Sequence, residues 1–167
     1  MTVLVLPQSE IRPELLERIE RRRKEVFIDK MAWPLTHIDG RERDQFDGPE
    51  TLMILVGDPL VFSMRIIPES ECMVRELWPH AAHHITPGSY ELSRWVSHSR
   101  HSFKAARAAM ADAIAEMRRL EWYDVFTVST DRVAKAQGSL WFDPDSQYPI
   151  GPDINLCKWS LRYPIAA

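Results

Sequence analysis

Residues 41 to 48, RERDQFDG, place Glu42, Asp44 and Asp47 within six residues, with Phe46 beside the last of them and the apolar run TLMILV close behind. Carboxylates this close repel one another unless cations lie nearby, so the segment is built to meet positive charge. The chain offers such charge in three places: Arg23 in PELLERIERRRKEVF, Arg65 in FSMRII and Arg94 in YELSRW. Glu91, in the last of these stretches, adds a fourth acid. Charged side chains are seldom buried without partners, so Arg65 and Glu91 are expected to pair with one another or with the loop carboxylates. Trp33 and Phe46 add two aromatic faces suited to an adenine ring or a cation. The same residues also read as a salt-bridge network that pins a long loop to a sheet.

The elements that would position these groups follow from periodicity. TVLVL is a first strand stopped by Pro7, and residues 13 to 27 repeat apolar side chains at helical spacing. From 31 to 49 the pattern gives way to Pro, Gly, His and charge, an irregular loop of the length that usually carries function. TLMILV, a Gly57-Asp58-Pro59 turn and LVFSMRII predict a hairpin. YELSRWV is a strand whose two alternating faces both carry charge, unusual for a core strand. Phe103, Ala106, Met110, Ala113, Ile114, Met117 and Leu120 form one stripe of a helix capped by Ser102. A strand at YDVFTVST, a short helix ended near Gly138 and a terminal strand at INLCKWSL complete the order β-α-loop-β-β-β-α-β-α-β. That order predicts an α/β, three-layer sandwich with a mixed, mostly antiparallel sheet.

Bulk properties bound the function. With 167 residues, 45% of them hydrophobic, and no repeat or linker, the chain reads as one domain over 1–167. A net charge of −3 gives no global sign of a nucleic-acid or membrane partner. Cys72 and Cys157 are far apart, without zinc-ribbon or disulfide-scaffold spacing, and no apolar run reaches a membrane span, so a cytoplasmic protein with reduced thiols is expected. His80, His83 and His84 cluster after Pro79 without supporting acid or Cys ligands, and no metal site is assigned. Ser93, Ser97 and Ser99 lack a nucleophile-elbow pattern.

In order and spacing, Arg23-x-x-x-Phe27, Trp33, ERDQFD, MRIIPE and YELSRW resemble the acyl-homoserine-lactone synthases of the LuxI type, from about residue 20 to 97. The resemblance implies a fold similar to the GCN5-related N-acetyltransferases. It also implies a reaction that joins an acyl group from acyl carrier protein to S-adenosylmethionine, releasing methylthioadenosine and a lactone used in quorum sensing. S-adenosylmethionine would be a substrate, with no cofactor. On the same grounds Glu91, Asp44, Asp47, Arg65 and Arg94 are the expected catalytic set, with Glu91 as proton acceptor and Asp44 and Asp47 held mainly by Arg65 and Arg94. Arg23, Phe27 and Trp33 would line the S-adenosylmethionine site. Alternatives of other classes are an N-acyltransferase of this fold using acyl-CoA and another amine, and a non-catalytic S-adenosylmethionine or lipid-binding module.

For the acyl donor, SHSRHSFKAARAAM contains no glycine where coenzyme A enzymes usually carry a Gly-rich turn, which favours a carrier-protein thioester. Residues 94 to 119 carry a local charge of +4, and Arg100, Lys104, Arg107 and Arg118 are the expected docking cations for an acidic carrier protein. The acyl chain is expected between strands 90–96 and 124–129, beside Met110, Ile114, Met117 and Phe126, with Thr127 or Ser129 available to a 3-oxo group.

Overall fold

The computed structural model of the chain describes residues 1–98, 103–140 and 143–162. Strand β1 (Val3–Pro7) leads into helix α1 (Pro13–Arg23), which starts with Pro13 where a missing N–H costs nothing. The helix continues into a π-helical stretch, Lys24–Lys30, whose wider turns carry Phe27 inward. A two-stranded hairpin, β2 (His37–Ile38) and β3 (Arg41–Glu42), gives the long loop some regular structure. Strands β4 (Leu52–Val56) and β5 (Phe62–Pro68) form the expected hairpin, and Gly57, at φ +93°, occupies its turn where a Cβ would sit 2.8 Å from Val61 Cγ2. Then come α2 (Met73–Leu77), β6 (Tyr90–Ser97), α3 (Phe103–Arg119), β7 (Asp124–Thr130), α4 (Asp131–Leu140), β8 (Ser146–Gly151) and β9 (Ile154–Ser160).

One seven-stranded sheet, in the order β1-β4-β5-β6-β7-β9-β8, is antiparallel at every junction except β6 to β7. Helices cover both faces, giving the mixed, three-layer α/β sandwich. On one face Ala109, Met110, Ala113, Ile114 and Met117 of α3, each 2% exposed or less, pack with Ile54, Met64, Leu92, Val125 and Trp159. On the other face, α1 covers Met53 and Leu55, while α2 and the 3₁₀ turn Pro79–His84 cover Ile67, Phe126 and Leu156.

Four expectations need correction. The first helix changes winding after Arg23 instead of running evenly to Phe27. Helix α4 passes through Gly138 to Leu140 and is not ended by it. Helix α2 is too short to show a period, and β8 is a polar edge strand holding Pro149, where a missing donor is tolerated. Ser102, the expected cap of α3, lies outside the described residues.

The charge on both faces of β6 has a geometric cause. Ser63 pairs with Val96 and Arg65 with Ser93, so Arg94 and Trp95 together oppose the single Met64. This is a β-bulge, with Arg94 in the left-handed region at φ +54°. The extra residue lets Leu92 and Val96 both join the apolar cluster beneath α3, while Arg94 bonds the loop acids on the opposite side. The parallel ladder of β6 and β7 pairs only Tyr90 with Val125 and Glu91 with Phe126, and the two strands then part.

Candidate active site

Six charged side chains interlock on the face carrying α1. Arg23, reaching down from the end of α1, donates to Glu42 at 2.5 Å and to both oxygens of Asp47 at 2.9 and 2.6 Å. Arg65, from β5, binds both oxygens of Asp44 at 2.5 and 3.1 Å, lies 3.1 Å from Asp47 and donates from Nε to Ser93. Arg94, placed by the bulge, joins Glu42 at 2.9 Å to Asp44 at 2.8 Å. Three guanidiniums thus meet three carboxylates, and each acid bridges two arginines. Backbone turns fix the acids from below: the Asp44 N–H donates to Asp47 Oδ2, the Phe46 N–H to Asp44 Oδ1, and Gln8 Nε2 to Asp47 Oδ1.

The cluster has a sealed side and an open side. Arg23, Glu42 and Asp47 have side chains at 1% exposure or less, whereas Asp44 and Arg94 reach 15% and 7%. Burial pushes the Asp47 carboxyl up, but the hydrogen bonds and charges of Arg23 and Arg65 outweigh it and hold Asp47 well below the usual carboxylate range. Burial likewise disfavours the Arg23 cation, yet Asp47 and Glu42 raise it above its ordinary value. Asp44 and Arg94 open onto a cavity of about 460 Å³ walled by Trp33, Phe46, Met73, Trp78 and Ser129. Trp33 stacks on Phe27 at 5.1 Å between ring centroids, Phe27 lies under Arg94, and Phe46 lies under Arg65.

Glu91 differs from the other acids. It is fully buried, with Oε2 accepting the Met73 N–H at 2.8 Å and Oε1 without any hydrogen-bond partner among the described residues. Desolvation raises it to about 7, opposed in part by Arg65, the Met73 N–H and Arg94. Such a carboxyl is poised to exchange a proton near neutrality.

The expected residues are therefore gathered in part, and in changed roles. Asp44 is held by Arg65 and Arg94 as anticipated, but Asp47 is held by Arg23 and Arg65 and makes no listed-range contact with Arg94. Arg23 is spent on Glu42 and Asp47, so it braces the site and does not line the cavity; Phe27 backs Trp33, which does. Arg65 pairs with the loop acids and not with Glu91. Glu42 was recognised as an acid of the run but not as a site residue, although it ties Arg23 to Arg94. Met73 and Trp78 were missed because an isolated short apolar stretch gives no sign of facing a cavity.

The acyl-chain assignment changes most. Met110, Ile114 and Met117 belong to the packed core under α3, across the sheet from the cavity, and Phe126 packs into the cluster beneath α2. Of that set, Ser129 lines the cavity, and Thr127 lies beside it, 3.2 Å away and sharing Gln137 as partner. The docking cations also divide. Lys104 and Arg107 are exposed near the start of α3, Arg100 lies outside the described residues, and Arg118, over three turns further on, donates to the Leu161 carbonyl at 2.6 Å. Of the clustered histidines, His80 contacts the Ile150 carbonyl and His84 stacks on Tyr148. Among the described residues no helix is long and apolar enough to cross a membrane.

Comparison with known proteins agrees with this arrangement. Residues 8–100, which contain the whole charged cluster and Glu91, match the family described as autoinducer synthase. No curated protein matches the chain. Among solved structures, the acyl-homoserine-lactone synthase LasI is 21% identical at a TM-score of 0.73, covering 96% of this chain and 90% of its own. BjaI, a CoA-dependent acyl-homoserine-lactone synthase solved with SAM and isopentyl-CoA, is also 21% identical at 0.73, covering 96% and 83%. An acyl-CoA N-acyltransferase from Pseudomonas aeruginosa is 17% identical at 0.60, covering 95% and 99%, which places the sandwich among the GCN5-related N-acetyltransferase folds. The chain belongs to the autoinducer synthase family, acyltransferases of the acyl-homoserine-lactone synthase type.

Proposed function

We propose that this chain moves an acyl group from the thioester of an acyl carrier protein to the α-amine of S-adenosylmethionine, and that the product then closes to a lactone with loss of methylthioadenosine. The observation that carries the reading is Glu91: a buried carboxyl with one free oxygen, raised to about 7, beside an ionic cluster that opens on an aromatic-walled cavity. An α-ammonium must lose a proton before it attacks, and Glu91 takes it directly or through one water. The pocket acids cannot all face the amine, because clustered carboxylates would keep it protonated. Asp47 and Glu42 are neutralised by Arg23, which leaves Asp44 and Arg94 to meet the ammonium and the carboxylate of the substrate.

Trp33, backed by Phe27, gives the adenine a flat wall. The thioester enters where β6 and β7 part, and backbone N–H groups on the opened edge of β6 receive the developing oxyanion. The acyl tail runs toward Ser129 and Thr127. Lactone closure joins the methionyl carboxylate to its own γ-carbon as the sulfonium leaves neutral; opposite charges disappear, so a water-poor, aromatic-walled cavity favours the step. BjaI is CoA-dependent and was solved with SAM, and the same fold thus serves either kind of donor. Incubating purified protein with S-adenosylmethionine and either acyl carrier protein thioesters or acyl-CoA, then weighing products by mass spectrometry, should show an acyl-homoserine lactone and methylthioadenosine in equal amounts, faster from the carrier protein. Acylated product without methylthioadenosine would rule out the lactone step.

A further inference from the structure

A second cavity, of about 440 Å³, lies on the far side of β6 from the opening toward β7 and at the end of that strand, walled by Arg18, Arg21, Arg22, Glu25, Pro59, Leu60 and His98. Its charges are only partly spent. Arg22 is held by the Ser97 carbonyl at 2.9 Å and Glu25 at 2.6 Å, and Arg21 by Glu17, but Arg18 has no hydrogen bond or ion pair among the described residues. Three guanidiniums on successive faces of one helix, around a hollow with a single carboxylate in its wall, form a site for an anion with several oxygens. We infer that this cavity binds a phosphate group, and, resting on the function proposed above, that the phosphate is the one on the pantetheine arm shared by acyl carrier protein and coenzyme A.

The placement supports that ligand. The thioester must sit near Glu91 and Arg94, and its arm must leave along β6. Four residues separate Arg94 from His98, about 13 Å at roughly 3.3 Å per strand residue, a distance an extended arm covers. No glycine occurs between 97 and 110, so a backbone phosphate cradle of the Gly-rich kind is lacking in the sequence, and side-chain cations must serve instead. Exposed Lys104 and Arg107, shortly after, extend the positive field.

His98 supplies an internal reporter. Its ring contacts Ser63 Oγ at 2.7 Å, and the charged groups facing it are Arg18 and Arg22, with Glu25 and Arg21 also in the cavity wall. Burial, helped by those two arginines, depresses His98 to about 4, and an anion in the cavity would reverse the arginine effect.

The test has two arms. In the first, the His98 ring is titrated by NMR with and without inorganic phosphate; its pKa should rise by at least about one unit, and not in an Arg18→Gln/Arg21→Gln double variant. In the second, that double variant should raise the KM for the acyl donor about tenfold, the weight of a charge-assisted hydrogen bond, with kcat and the KM for S-adenosylmethionine kept. Arg119→Gln, at the far end of α3, should change none of these. An equal rise for carrier-protein and coenzyme A thioesters supports phosphate recognition; a rise for the carrier protein alone would mean that the arginines read protein surface, overturning the inference. An unmoved His98 or an unchanged donor KM would overturn it too. If the native enzyme acylates S-adenosylmethionine from neither donor, the proposed function fails, while the phosphate titration still decides the cavity.

Discussion

The two faces of the central sheet bury side chains equally well and to opposite ends. Beneath α3, Met110, Ile114 and Met117 are inaccessible and wholly apolar; across the strands, Arg23, Arg65 and Glu91 are as inaccessible and ionisable. On the first face, burial is itself the driving force, roughly 1.5–3 kcal/mol for each large side chain. On the second, burial opposes the charges, and the face is tolerable only because each guanidinium finds carboxylates. The difference teaches that depth does not distinguish a stabilising residue from a reacting one; what distinguishes them is whether the buried group is satisfied. Asp47, with bonds from Arg23, Gln8 and the Asp44 N–H, is satisfied, and Glu91 Oε1 is not.

The sharpest way to break this contrast is to unbalance the sealed side. Asp47→Asn leaves Arg23 buried with only Glu42 against it, and removes a partner from Arg65 as well. Loss of one member of a buried pair should cost roughly 3–5 kcal/mol. Urea unfolding should show that loss, and activity should fall with it because Asp44 and Arg94 lose their support. A variant as stable as the parent would mean that the cluster is solvated and contributes little.

On the apolar face, Ile114→Ala should cost about 3 kcal/mol through lost transfer energy and the cavity left behind. Its turnover per folded molecule, measured at a temperature where the variant is fully folded, should stay near the parent value. A marked change in acyl-chain preference instead would return Ile114 to the acyl tunnel, as the sequence alone suggested, and erase the division between the faces.

That division was visible in the sequence only in outline. The stripe on α3 and the hairpin around Gly57 repeat clearly enough to be read as elements. The acids and arginines were legible as partners too, since charge inside FSMRII or YELSRW demands an explanation. Which acid meets which arginine was not, because the answer depends on a bulge that turns Arg94 toward Glu42 and Asp44, and on a change of helical winding that turns Phe27 under Trp33. Neither leaves a local signature: Arg94 adopts a positive φ without the glycine or asparagine that would announce it. The acyl residues were misplaced for a related reason, since helical spacing says that Met110, Ile114 and Met117 share a face but not which side of the sheet that face covers.

Glu91 gives the finest test, because it predicts that stability and turnover move in opposite directions. Glu91→Gln keeps the shape and an oxygen for the Met73 N–H, but it removes the proton acceptor, so turnover should fall by about 10²-fold, roughly 2.7 kcal/mol in the barrier. In the native enzyme, turnover should rise with pH through about 7 as Glu91 ionises. The stability effect has the other sign. Because the folded carboxyl titrates near 7 and its ordinary value is 4.5, the folded state holds the proton more tightly than the unfolded chain does. The stabilisation from that proton is complete below 4.5 and lost as pH rises through 7, an amount on the order of 3 kcal/mol. His98, depressed to about 4, acts oppositely as pH falls, but it is common to both proteins and cancels in their difference. Melting temperatures at pH 5 and pH 8 should therefore show Glu91→Gln gaining on the parent at the higher pH, where the parent must bury a charge. If the two proteins keep a constant separation across that range, Glu91 ionises as an ordinary surface acid does, and its free oxygen is not the base.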